Sequence, residues 1–266
     1  MADSSPYVNG EFCWYELSTT DAAKAKPFYT QLFGWEANDN PMPGGGGPYT
    51  MFRQNGGDVG GMYQMDGDQM GGMPSHWQYY VWVDDVAAAA DKAAALGGKV
   101  MVPPMDMPGI GTMAVLQDPG GAIVAVYHGG GHEGSTRQNG EPGAFSWLEL
   151  MTRDQAGAEK FYGKLFGWGL DSMDMGGGAK YTIFKHGTNQ IAGGMQMDDS
   201  EQWKGIPPNW TGYITVADTD ATAAKAVELG GMVLMAPMDI PDIGRFAVLK
   251  DPTGAVVSVI AYVPRS

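Results

Sequence analysis

The 266-residue chain contains one cysteine, Cys13, and only four histidines. A single cysteine excludes an intrachain disulfide framework and cannot alone supply a thiolate metal site. His76, His128, His132 and His186 show no HxH or HxxxH spacing on a predicted element, so no histidine metal motif is legible. Basic residues are scarce: 16 Lys and Arg stand against 30 Asp and Glu, a formal net charge of −14. Nucleic-acid binding needs clustered cations to displace counterions, so no nucleic-acid partner is expected. No apolar run approaches the roughly 18 residues of a membrane span, and no membrane partner is expected either. The opening MADSSPYVNG has neither a basic nor an apolar region, so no signal peptide is read there and a reducing, cytoplasmic setting is expected. P-loop, serine-elbow and zinc-protease motifs are missing, and GIG at 109–111 precedes a strand rather than opening a helix.

Glycine, by contrast, is abundant. Its 41 residues concentrate in PGGGGP (43–48), GGGHEG (129–134) and MGGGAK (175–180), which read as loops. The 19 methionines include recurrences such as Met105 with Met238 and Met62 with Met195. Their flexible thioethers suit either irregular core gaps or adaptable apolar surfaces.

The strongest signal is an internal duplication. Residues 144–168, AFSWLELMTRDQAGAEKFYGKLFGW, repeat residues 11–35, EFCWYELSTTDAAKAKPFYTQLFGW. Residues 210–260 repeat 77–127 at the same offset of 133, with more than half of the positions identical. A period of this length exceeds any solenoid repeat, so the unit is a whole domain. The expected boundaries are 8–128 and 143–264, joined by a polar, glycine-rich linker at 129–142. Positions kept in both copies report mainly on the fold, and positions that differ mark where ligand or chemistry can differ.

Within one copy the elements follow from periodicity and caps. Phe12–Leu17 reads as a strand, Asp21 caps a helix to Phe33, and Gly34 ends it. Tyr49–Arg53 and Val59–Met65 read as strands around QNGGD. His76–Val83 is a further strand, Asp85 opens an alanine-rich helix, and Gly97-Gly98 closes it. Val100–Val102, Thr112–Gln117 and Ala122–Tyr127 finish as strands, the last two joined by the turn Asp118-Pro119-Gly120-Gly121. The strand–Asp–helix–Gly series beginning at Trp14 recurs from Gln78, so each copy is itself a fainter duplication.

This βαβββ order, four times per chain, with FY..LFGW, the turns DPGG and DPTG and the helix end LGG, resembles the vicinal oxygen chelate superfamily of glyoxalases, extradiol dioxygenases and bleomycin-resistance proteins. The acidic two-domain form with ELSTTD…FYTQLFGW looks like the branch that carries glyoxalase-like or hydroxylase labels. The resemblance implies an α+β fold of tandem βαβββ modules in two half-barrel domains, with the helices outside and the ligand inside. Strand alternation then sorts the faces. Trp14, Glu16, Gln78, Tyr80, Trp82 and Tyr127 are expected to face the cavity of copy one. Trp147, Glu149, Thr211, Tyr213, Thr215, Ser258 and Ile260 are expected to face that of copy two.

In this superfamily His, Gln or Glu at three places typically hold a divalent metal. Carried onto this chain, those places are Trp14, Gln78 and Ala125, and Trp147, Thr211 and Ser258. Indole is a donor only, and alanine offers nothing, so no metal and no other cofactor is expected. Glu16 and Glu149 are the candidates for acid–base chemistry, for anchoring a ligand amine, or for a purely structural hydrogen bond. Arg245, with Thr112 at the matching place, is a candidate anchor for a carboxylate or phosphate. Cys13 reads as a buried inert thiol.

The expected function is binding of a small, partly aromatic or amphipathic molecule. Three alternatives stand beside it. One is a glyoxalase-like isomerase, lyase or hydroxylase using Glu16, Glu149 or a displaced metal. Another is a resistance protein that sequesters a cationic drug, and the third is a packed structural protein. Monomer and homodimer both remain open.

Overall fold

The computed structural model describes residues 6–42, 47–65, 72–137, 140–176, 178 and 180–264. Parts of the glycine-rich loops and of the linker, at 43–46, 138–139, 177 and 179, lie outside the described residues. The first copy forms β1 (Phe12–Thr19), α1 (Ala22–Phe33), β2 (Glu36–Asn40), β3 (Tyr49–Gln54), β4 (Gly57–Gln64), β5 (His76–Trp82), α2 (Val86–Ala95), β6 (Lys99–Met107), β7 (Gly111–Gln117) and β8 (Ile123–Gly129). The second forms β9 (Phe145–Thr152), α3 (Gln155–Phe166), β10 (Gly169–Asp174), β11 (Lys180–His186), β12 (Asn189–Gln196), β13 (Asn209–Thr215), α4 (Thr219–Glu228), β14 (Met232–Ile240), β15 (Gly244–Lys250) and β16 (Val256–Tyr262). No helix among the described residues is long and apolar enough to cross a membrane.

Local chemistry sets the helix ends. Asp21, Asp85, Asp154 and Asp218 each accept the backbone N–H three residues on, at 3.1, 2.9, 2.9 and 3.0 Å, which satisfies a donor that the first turn leaves open. Gly34 and Gly167 close α1 and α3 in the left-handed region, with φ of 71° and 77°. Strands β2 and β10, EANDN and GLDSMD, are mostly exposed and carry no clean apolar alternation. Pairing to β3 and β11 holds them in place.

Each copy contributes one open eight-stranded sheet. The orders are β2-β3-β4-β1-β5-β8-β7-β6 and β10-β11-β12-β9-β13-β16-β15-β14. The repeat is not in register throughout. Gly61 pairs with Glu16, whereas Gly193, rather than Gly194, pairs with Glu149. A one-residue shift of the β11–β12 hairpin therefore separates Met62, beside Leu17 and fully buried, from Met195, which stands beside Met151. Met62 and Met195 are not structural equivalents. Met105 and Met238 are exposed, on the outermost strands β6 and β14.

Compactness divides the chain differently from the duplication. One unit comprises Met1–Cys13, Tyr79–Gly134 and Leu148–Trp210, and the other comprises Trp14–Gln78, Ser135–Trp147 and Thr211–Ser266. In the first, the Tyr162 hydroxyl on α3 accepts the Trp210 indole N–H at 2.9 Å and donates to Asp118 Oδ2 at 2.9 Å. The Trp168 indole N–H reaches the Gly10 carbonyl at 2.7 Å, and Phe12 packs on Trp168 and Trp210. In the second unit the Trp77 N–H donates to the Tyr29 hydroxyl at 3.0 Å and the Trp35 N–H to the Gly143 carbonyl at 2.9 Å. Tyr15 stacks on Phe145 with ring centroids 4.2 Å apart.

Burial pushes the Asp118 carboxyl above its ordinary 3.8, and hydrogen bonds from Tyr162 and the turn amides pull it partly back. The folded state therefore holds this proton more tightly than the unfolded chain does. Its contribution to stability is fullest below 3.8 and is lost as pH rises through the raised folded value. We expect Asp118→Asn to gain stability relative to the parent across that window, read as melting temperature from about pH 3 to 8. Tyr162→Phe strands the Trp210 N–H and Asp118 Oδ2, and should cost about 1–3 kcal/mol in urea unfolding. A parallel pH profile for Asp118→Asn, or no loss for Tyr162→Phe, contradicts this account.

Candidate functional site: aromatic faces and a carboxylate relay

The opening strand of the first copy places Trp14 and Glu16 on one face, and Tyr49 of β3 joins them. The Trp14 indole N–H donates to the Tyr49 hydroxyl at 3.0 Å, and that hydroxyl donates to Glu16 Oε2 at 2.7 Å. Gly61, the partner of Glu16 across the β1–β4 ladder, makes room for this relay, since a Cβ there would overlap the Tyr49 hydroxyl. Burial, with the nearby Glu16 charge, pushes the Tyr63 phenol up. Gln78, at the start of β5, is buried. The second copy keeps the same notch: Glu149, buried, pairs with Gly193, and a Cβ on Gly193 would overlap the Tyr181 hydroxyl. Sequence reading missed Tyr49 and Tyr181, although YTMF and YTIF were a usable signal.

On the β5–β8 face, Tyr80 pairs with Ala125 and Trp82 with Tyr127. Tyr127 meets Tyr80 and Trp82 edge-on at 6.4 and 5.9 Å, and Tyr7 stacks over Trp82 at 6.3 Å. The start of the linker folds back here. The Tyr127 hydroxyl donates to the carbonyls of Ile110 and His132, and burial pushes its phenol well up. Gly129 lies so close to Trp82 and Glu133 that a Cβ would come within 2.9 Å of the indole and 3.0 Å of the carboxylate. These aromatics are packed by the chain itself. Cys13 donates to the Tyr80 carbonyl at 3.5 Å, and burial pushes its thiol up, so it is no ready nucleophile.

The matching face of β13–β16 is built differently. Thr215 stands where Trp82 does, Ile260 where Tyr127 does, and Ser258 where Ala125 does. Tyr213 pairs with Ser258 and Thr215 with Ile260. Tyr213, Phe246 and Ile260 form a buried apolar cluster, flanked by the partly buried Trp147, Ile240, Ile243 and Val248. The side chains that replace Trp82 and Tyr127 are smaller, and part of the apolar rim reaches solvent. Sequence reading placed Tyr213, Thr215, Ser258 and Ile260 but not Phe246, whose counterpart is Met113. Thr211 stands two residues before Tyr213 on β13 and shares its face of the strand. The Arg245 guanidinium is committed to Asp220 at 2.6 and 2.9 Å and to Asp239 at 3.0 Å.

The six positions where the superfamily holds a metal do not make a donor set here. Trp14 uses its N–H as a donor to Tyr49, Gln78 offers a single amide oxygen, Ala125 is fully buried, and Trp147, Thr211 and Ser258 offer an indole and two hydroxyls. Among the described residues, no three His, Cys, Asp or Glu side chains are grouped to hold an ion.

Comparison with known proteins gives the family and the fold. The pattern of the Glyoxalase/Bleomycin resistance protein/Dioxygenase superfamily matches residues 12–126 and 144–259, and the chain belongs to that superfamily. It is similar to CFP32 of Mycobacterium tuberculosis (strain CDC 1551 / Oshkosh), which carries a provisional glyoxylase name, at 42% identity over 265 residues covering 100% of each chain. It is also similar to the anthracycline biosynthesis protein DnrV of Streptomyces peucetius, at 37% identity over 266 residues, 96% of this chain and 94% of that one. Among solved structures, the Mn(II)-bound glyoxalase from Novosphingobium aromaticivorans shares the fold with a TM-score of 0.63 at 17% identity, covering 95% of this chain and 82% of that one. The 2,3-dioxygenase LapB from Pseudomonas sp. KL28 does so with a TM-score of 0.62 at 13% identity, covering 97% and 96%.

The relay makes a direct prediction. Tyr49→Phe removes the acceptor for Trp14 and the donor to Glu16, and Gly61→Ala pushes the ring out of the same notch. Each should cost about 1–3 kcal/mol by denaturant unfolding, and the double variant should cost clearly less than the sum, because both act on one contact. Full additivity contradicts the shared notch.

Proposed function

We propose that this protein binds a flat, fused-ring aromatic molecule on the second-copy face lined by Trp147, Tyr213, Phe246 and Ile260. The observation that carries this reading is the replacement of Trp82 and Tyr127 by the smaller Thr215 and Ile260 on an apolar face that keeps the aromatic rings of Tyr213 and Phe246. Apolar walls with a few placed polar groups are the usual make-up of a small-molecule site. Ring stacking adds about 0.5–1.5 kcal/mol per aromatic pair beyond the area buried. The name of the relative DnrV supports a polycyclic aromatic, since anthracyclines are of that class. On this reading the site works without the superfamily's metal, because the second copy's ligand positions, Trp147, Thr211 and Ser258, carry an indole and two hydroxyls. Glu16 and Glu149 serve mainly as acceptors for the tyrosines in their notches.

Equilibrium dialysis with 1,8-dihydroxyanthraquinone, followed by visible absorbance, tests the reading. Saturable binding is expected, unchanged by EDTA, and about tenfold weaker in Phe246→Ala or Trp147→Ala through lost stacking and burial. Absence of saturable binding sinks the proposal. Binding abolished by EDTA and restored by Mn²⁺ replaces it with a metal-dependent site.

A further inference from the structure

Two hydroxyls on the proposed ligand face are unaccounted for by the fold. Thr215 is 5% exposed and Ser258 is 1% exposed, and neither Thr215 Oγ1 nor Ser258 Oγ has a hydrogen-bond partner. They lie on the adjacent parallel strands β13 and β16. Ser258 pairs with Tyr213, and Thr215 follows two residues later, beside Ile260. Residues paired across a ladder share a face, as do residues two apart on a strand. Both hydroxyls therefore belong to the face of Tyr213, Phe246 and Ile260, not to the face that packs on α4.

A buried hydroxyl without a partner is destabilising, and valine or alanine would fill the same space without that cost. The first copy shows such a solution, with Trp82 and Ala125 at the matching positions and no hydroxyl at either. The pair is thus confined to the copy with the smaller side chains on this face. A hydroxyl can donate and accept, so each can serve a phenol or a carbonyl. Two dipoles without an adjacent cation favour neutral oxygens over a carboxylate, and Arg245 is held by Asp220 and Asp239.

We infer that Thr215 and Ser258 form a hydroxyl pair that selects aromatic ligands carrying two hydrogen-bonding oxygens on one edge of the ring system. This rests on the binding reading above and names the part of the ligand that the site recognises. An arene without oxygens still stacks on the aromatic wall but leaves both hydroxyls unpaired. A hydroxyquinone satisfies them.

The test compares 1,8-dihydroxyanthraquinone with anthracene, by equilibrium dialysis, on the parent, Thr215→Val, Ser258→Ala and the double variant. The parent should prefer the dihydroxy compound. Each single variant should weaken that compound about tenfold and leave anthracene within about twofold. The ligand-free variants should melt no lower than the parent, because each loses an unpaired buried hydroxyl, and this separates recognition from damage to the fold. If both probes weaken equally, or neither weakens, the hydroxyl pair has no selecting role while the aromatic site stands. If the parent binds neither probe, the binding reading fails and this inference fails with it.

Discussion

A buried tyrosine hydroxyl makes the connection on which the rest of this architecture depends. Tyr162, on α3, is held between the Trp210 indole N–H and the Asp118 carboxylate. Three segments far apart in sequence meet at one oxygen atom. Asp118 also accepts the backbone N–H groups of Gly121 and Ala122, so the same carboxylate shapes the tight turn that launches β8. The register of β8 in turn sets where Tyr127 lies. In the other unit Tyr29 receives the Trp77 N–H, and Asp251 organises its turn through Thr253 and Ala255, ahead of Ser258 on β16. Asp251 Oδ2 has no partner comparable to Tyr162. The two junctions share a plan but are not equally satisfied.

This arrangement explains why compact units cut across the duplication. Each sheet is drawn from a single copy, yet the compact units join the second quarter of the chain to the third, through the Tyr162 junction, and the first to the fourth, where Thr19 bonds Thr253 at 3.1 Å. The indole of Trp168 reaches back to Gly10, and that of Trp35 reaches forward to Gly143. Sequence identity between copies is highest where these junctions need it, in FY..LFGW and in the DP turns.

Much of the fold was legible because single residues carry its rules. The four capping aspartates and the two closing glycines announce the helices, and alternation on β1, β5, β8, β13 and β16 sorts the faces. The strands β2 and β10 were not legible, since EANDN and GLDSMD are edge strands with no buried face to impose a pattern. The shift that separates Met62 from Met195 was hidden by a coincidence of residue type, because glycine and methionine recur at the offset of 133, whereas the structural counterparts of Gly61 and Met62 are Gly193 and Gly194. Which candidate residues share a face of their strand was legible from alternation. Their closest contacts were not: Tyr49 reaches Glu16 from another strand, and the linker closes over Trp82 and Tyr127 through backbone proximity at Gly129. Arg245 was singled out for lacking a counterpart, but its carboxylate partners come from α4 and β14, elements that a strand-by-strand reading does not bring together.

A duplicated fold allows the two copies to carry different side chains on matching faces, and the residue differences divide them into a larger and a smaller set. In the first copy the largest side chains, Trp82 and Tyr127, point at each other, and Tyr7, Ile110 and the linker carbonyls satisfy their surroundings. Nothing polar on that face among Tyr80, Trp82 and Ala125 demands a further partner, and the interactions there are those of a core. In the second copy the corresponding residues are Tyr213, Thr215 and Ser258, with two hydroxyls buried and unanswered. Packing energy alone favours the first arrangement, because it buries more apolar surface and strands no donor. The persistence of the second arrangement in the same chain, under the same fold constraints, is the physical ground for the proposal that ligand recognition belongs to that copy.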